Sequence, residues 1–158
     1  MIRSASITGL LCALAASPVA AQQPATSGQV LGPALRSSDL DRSARFYTAG
    51  LGMVKAGRIE AEGATEVFFA FEGARRGPLI VLFKSNDPAK ATPIDHGNGY
   101  GRTILRVPDV AASSTRLRAV GYAPGEIRVN AVHKSKIMFV KDPDGYSYEL
   151  VEASGGGE

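Results

Sequence analysis

From residue 30 onward the chain alternates short apolar runs with polar, glycine-containing breaks. Residues 30–37 read as a strand ending at Ser37-Ser38-Asp39, where Ser38, Asp39 or Asp41 can cap a helix. The helix runs through Tyr47 and closes near Gly50 and Gly52. Residues 53–60, 66–72 and 78–84 follow as strands, broken at Glu62-Gly63 and Arg75-Arg76-Gly77. The same order then returns. Residues 102–107 read as a strand and 109–120 as a helix closed by Gly121. Residues 126–130, 135–140 and 146–152 are three further strands, with Asp142-Pro143-Asp144-Gly145 as a hairpin turn. Residues 85–101, with two Pro and three Gly, form the linker.

The return is visible in the letters as well as in the pattern. Leu35-Arg36-Ser37-Ser38-Asp39-Leu40 matches Leu105-Arg106-Val107-Pro108-Asp109-Val110 at an offset of 70, as do Ser43 with Ser113 and Ala49 with Ala119. Residues 77–82 align with 145–150 at an offset of 68. A repeat at one nearly constant spacing implies two copies of a single unit. The expected fold class is therefore α+β, two tandem βαβββ modules, module one at 30–84 and module two at 102–153. Strand alternation sends successive side chains to opposite faces. Leu105 and Val107 should pack on the second helix, and with them Ile137, Phe139, Tyr148 and Leu150. Counting back from the 142–145 turn pairs Met138 with Glu149. Met138, Ser147, Glu149 and Val151 should then share the face of Arg102, Ile104 and Arg106.

What precedes residue 30 changes the count. Arg3, the apolar run 7–16 and the small residues of Ser17-Pro18-Val19-Ala20-Ala21 have the layout of a secretory signal peptide at 1–21. The run is too short for a bilayer, which takes ~20 residues, so no stable membrane anchor is expected after cleavage. Residues 22–29 read as a loose lead-in and 154–158 as a disordered tail. The 158 residues carry +3; without 1–21, 137 residues remain, with 17 basic against 15 acidic side chains and no Cys. The expected location is therefore periplasmic or secreted. Cysteine chemistry is then excluded, and the mild charge, with no basic run, argues against nucleic acid.

Three blocks carry a family resemblance. Residues 35–53, LRSSDLDRSARFYTAGLGM, resemble the opening strand and helix of the vicinal oxygen chelate superfamily, the glyoxalase, bleomycin resistance and dioxygenase proteins. Residues 97–110, GNGYGRTILRVPDV, and 139–152, FVKDPDGYSYELVE, are most similar to its glyoxalase I (lactoylglutathione lyase) branch. The resemblance implies paired modules whose mixed sheets curve around a cleft, often in a homodimer. It also implies a divalent metal, zinc, nickel or manganese, held by one residue from the first and one from the last strand of each module.

Carried over one by one, those metal positions fall on Gly32, Val81, Arg102 and Glu149. Glycine has no side chain, valine no lone pair, and a guanidinium only donates. Only Glu149 could ligate, so no family-type metal site and no cofactor are expected. His96 in the linker and His133 before the hairpin read as loop or strand-end residues, His133 lying ~16 Å along the strand from the Glu149 row. The Gly-rich run 97–101 lacks the Lys-Ser/Thr of a phosphate loop and reads as a turn.

Two uses of the cleft stay open. Arg102 and Glu149 can fill the vacated position as an ion pair, since a buried charge is costly unless paired. Alternatively Arg36, Arg102 and Arg106 hold a small anion, with Ala34, Phe68, Val81, Phe83, Ile104 and Met138 as apolar walls. Glu149 is the one candidate catalytic group, although an adjacent guanidinium holds a carboxylate in its charged form. The two functional expectations are a metal-free protein binding an anionic or amphiphilic molecule, and a lactoylglutathione-lyase-like enzyme with a rebuilt metal site.

Overall fold

The structure is a computed structural model, and it describes residues 28–74, 77–90, 92–132 and 134–152. The expected signal peptide at 1–21, the tail at 154–158 and His133 lie outside the described residues. Module one comprises β1 (Ala34–Arg36), α1 (Leu40–Arg45) extended by a π-helical turn (Phe46–Gly50), β2 (Val54–Glu60), β3 (Ala64–Ala70) and β4 (Ile80–Ser85). Module two comprises β5 (Thr103–Val107), α2 (Val110–Ala119), β6 (Arg128–Val129), β7 (Lys136–Lys141) and β8 (Ser147–Glu152). Each module is one four-stranded mixed sheet, in the orders β1-β4-β3-β2 and β5-β8-β7-β6. The doubled α+β unit is thus present, with its first and last strands side by side and parallel.

The caps explain why both helices start where they do. The Asp39 carboxylate accepts from the backbone N–H groups of Asp41 and Arg42, each at 3.0 Å. Asp109, seventy residues on, accepts from Ala112 N–H at 2.9 Å. Each satisfies donors that the first helical turn leaves orphaned.

One core serves both modules. The helix-side faces of the two sheets meet around Phe46, Tyr47, Phe69, Leu117, Tyr148 and Leu150, all essentially without exposed surface. Gly50 packs directly on α2: a Cβ there would sit 2.8 Å from Leu117 Cδ2, so the Leu117 side chain would have to shift. The opposite, concave faces are open. Ile59, Ile104 and Phe139 are exposed on them.

Polar ties lock the modules together through the 142–146 loop. Asp144 accepts from Ser38 N–H and Oγ, Ser37 Oγ, Ser43 Oγ and Arg42 Nη2. Tyr47 donates to Asp142 Oδ2 at 2.7 Å and receives the Tyr148 hydroxyl at 2.8 Å. The single core and these ties mean that neither module closes a core by itself, as units of this size seldom do.

Two expectations about the strands are corrected. β1 is shorter than 30–37, because Gly32 has φ +132° and Pro33 supplies no N–H. β7 has the opposite phase. Lys141 pairs with Ser147 and Phe139 with Glu149, while Met138 pairs with Leu150. The loop holds five residues, because Asp142 Oδ1 captures Tyr146 N–H at 2.9 Å and Asp142 N–H bonds Tyr146 O. The extra residue exchanges the faces: Met138 and Val140 enter the core, and Phe139 turns to the concave side. Met138 is therefore no cleft wall, and Phe139 does not pack on the helix.

Candidate functional site

Backbone pairing defines the concave face of each module. In module one Ala34, Val81, Phe68 and Gly57 form one cross-strand row, and Arg36, Phe83, Glu66 and Ile59 the next. In module two Ile104, Glu149 and Phe139 form the central row. Arg106, Val151, Ile137 and Arg128 lie on one side of it, and Ser147 and Lys141 on the other.

Glu149 is largely buried, and its Oε2 accepts from Arg102 Nε at 2.5 Å. The same guanidinium lies 5.8 Å from the Phe139 ring centroid, within cation–π range. The expected Arg102–Glu149 pair thus exists, and Phe139 was the member missed in the sequence. Its signal was obscured by the loop length alone. Arg36 bends to the linker and donates from Nη2 to Lys90 O at 3.0 Å. Arg106 lines a groove between the modules with Phe71, Glu72 and Arg116. The three arginines expected to converge on one anion therefore stand apart within a single chain.

Two other cavities lie on one module each. One of about 460 Å³ lies on module one between Arg36, Phe83, Ser85, Lys90 and Thr92. Another of about 430 Å³ lies on module two against Phe139, Lys141, Ser147 and Ala123. Neither takes residues from both modules.

A divalent ion does not fit the four implied positions. Val81 and Gly32 offer no donor, and the Glu149 carboxylate is engaged by Arg102. Among the described residues no three His, Cys, Asp or Glu side chains come together as a metal group. Gly32 is also closed to any replacement: a Cβ there would lie 1.8 Å from Leu79 O. His96 is occupied elsewhere. Its Nε2 is 2.9 Å from Asp144 O, and its ring meets Tyr146 edge-on, so it pins the linker to the 142–146 loop. The 97–99 stretch is a turn, as expected.

Residues 29–150 match the profile of the Glyoxalase/Bleomycin resistance protein/Dioxygenase superfamily. A probable lactoylglutathione lyase of Vibrio cholerae is 32% identical over 130 residues, covering 78% of this chain and 90% of that protein. The lactoylglutathione lyase of Haemophilus influenzae is 31% identical over 128 residues, covering 78% and 92%. Among solved structures, the trypanothione-dependent glyoxalase I of Leishmania major superposes with a TM-score of 0.64 at 29% identity, covering 80% of this chain and 87% of that one. Glyoxalase I from Zea mays superposes with a TM-score of 0.71 at 25% identity, covering 79% and 44%.

Proposed function

The chain belongs to the glyoxalase/bleomycin resistance protein/dioxygenase superfamily, and from that footing we propose that it binds a small anionic or amphiphilic molecule without a divalent metal. The observation that carries this is the Arg102–Glu149 pair: the one carboxylate at an implied metal position is committed to a fixed cation. A binding role asks nothing of Glu149 but charge and shape.

The cleft in this reading is completed by a second copy of the chain. The apolar concave faces carry exposed Ile59, Ile104 and Phe139, while the shared core lies on their other side. A homodimer would bring the module-one face of one copy to the module-two face of the other. Export rests on the N-terminal pattern at 1–21, and it would put the binding site in the periplasm or outside the cell.

A second reading has its own support. The relatives named above include lactoylglutathione lyases, which favours an enzyme whose zinc, nickel or manganese site has been rebuilt from other residues. One experiment separates the two. The mature chain is purified with each metal supplied, its metal content and mass in solution are measured, and its lyase activity on a glutathione hemithioacetal is assayed. A metal-free dimer without activity is expected. Stoichiometric metal with turnover would replace the first reading by the second.

A further inference from the structure

The concave face of module two carries an unequal charge. Its strand positions hold Arg106, Arg128 and Lys141, with Arg102 just before β5, against a single carboxylate, Glu149. Arg128 is partly offset by Glu126 at 3.6 Å, and Arg106 shares its groove with Glu72. Beside the central row, Arg102 is paired with Glu149 through Nε, and Lys141 makes no ion pair among the described residues. The middle of the face is apolar, with Ile104, Phe139, Ile137 and Val151. The corresponding rows of module one carry one cation, Arg36, and one anion, Glu66, among Ala34, Val81, Phe68 and Phe83.

Arg102 is held in a particular way. Glu149 takes Nε, and Cζ lies over the Phe139 ring, 5.8 Å from its centroid. No hydrogen bond from either Nη to the protein occurs among the described residues. Those two nitrogens are the edge a guanidinium uses to grip a carboxylate, sulfonate or phosphate. The side chain is half-exposed, at 48%. A recess of about 430 Å³ is walled by Ala123, Phe139, Val140, Lys141 and Ser147 and shares Phe139 with Arg102, a volume suited to a small organic ligand.

We propose that this face recognises organic anions with a flat or extended apolar body. Arg102 Nη and Lys141 Nζ grip the charged group, and the body lies over Phe139 and Ile104 and against the apolar rows of the partner copy's module one. Glu149 is then a positioning residue. It fixes the guanidinium on Phe139 and subtracts one charge from the site. The inference rests on the binding reading above and adds the ligand's chemistry and the residues that read it.

The test is calorimetric titration of the intact mature chain with three probes: 2-naphthoate, its neutral counterpart 2-naphthamide, and inorganic phosphate. Naphthoate should bind at least tenfold more tightly than naphthamide or phosphate, and its affinity should fall as salt is raised. Arg102→Gln and Lys141→Gln should each weaken naphthoate about tenfold and leave naphthamide unchanged. Glu149→Gln, which removes the opposing charge, should tighten naphthoate several-fold. Thermal melts of each variant establish that it is folded. Equal binding of naphthoate and naphthamide, or no response to Arg102→Gln in a folded protein, overturns the anion inference while leaving the binding reading in place. A metal-free dimer that binds none of the probes overturns it too. Stoichiometric metal with lyase turnover overturns the binding reading itself, a separate measurement with a separate outcome.

Discussion

Replacing Gly32 tests whether the first metal position is merely vacant or structurally closed. An ideal Cβ at residue 32 lies 1.8 Å from Leu79 O and 2.9 Å from its carbonyl carbon. Real Cβ contacts under 3.0 Å essentially do not occur, so strand and carbonyl must separate by more than an ångström. The backbone bonds on either side, Leu79 N–H to Leu31 O and Val81 N–H to Pro33 O, resist that movement. Losing one or both costs about 1 kcal/mol each. The φ of +132° adds ~1–3 kcal/mol of strain for any L side chain. Gly32→Ala should therefore lose about 3 kcal/mol in urea unfolding followed by circular dichroism, or roughly 10 °C in Tm. A variant within about 0.5 kcal/mol of the parent, the range of ordinary surface changes, would refute the steric reasoning. The same closure bears on function. Gly32→His combined with Val81→Glu and Arg102→His supplies ligating side chains at all four positions, yet should bind no stoichiometric zinc. Tight zinc binding by that triple variant, with Tm preserved, would mean that the position is open.

Four further outcomes follow from the same geometry. Met138→Ala should cost ~2–5 kcal/mol as a core truncation, whereas Phe139→Ala should cost clearly less; the reverse order in urea unfolding would restore the register expected from a four-residue turn. Tyr47→Phe leaves Asp142 without its phenol donor and Tyr148 without its acceptor, and should cost ~1–3 kcal/mol, a cost that vanishes if water or rotation re-satisfies the pair. Burial raises the Asp144 pKa, but the Ser38, Ser37 and Ser43 hydroxyls outweigh it and hold the carboxyl below its ordinary value. Its contribution is thus complete above the unfolded value of ~3.9 and lost as pH falls through the lower folded value. Asp144→Asn should accordingly be less stable at pH 7 and lose less between pH 7 and pH 3, and parallel pH curves would contradict this. Arg102→Ala strands a largely buried carboxylate and should cost ~1–3 kcal/mol, with Arg102→Ala/Glu149→Ala recovering part of it; strictly additive costs in the double-mutant cycle would mean no coupling.

The sequence determined by itself everything that depends on local pattern. Two copies of strand, helix and three strands were legible because alternation, caps and glycine breaks act over a few residues, and Asp39 and Asp109 cap where the repeat puts them. The Arg102–Glu149 pair was legible too, since neighbouring parallel strands fix which residues adjoin. The poverty of ligands at residues 32, 81, 102 and 149 needed only the letters. What tertiary structure decided is longer-ranged. A buried Asp142, bonded by the Tyr47 phenol of the other module, lengthens one loop by a residue, and a single-residue slip exchanges both faces of β7, so Phe139 and not Met138 joins Arg102. Residues 37, 38, 42 and 43 reach Asp144 a hundred positions away only because the helix faces of both modules share a core. That same choice turns the concave faces outward, with Arg36 on one and Arg102 and Arg106 on the other. Alternation assigns residues to a face, but which face is buried depends on what the other module, and any second copy, offers to cover it.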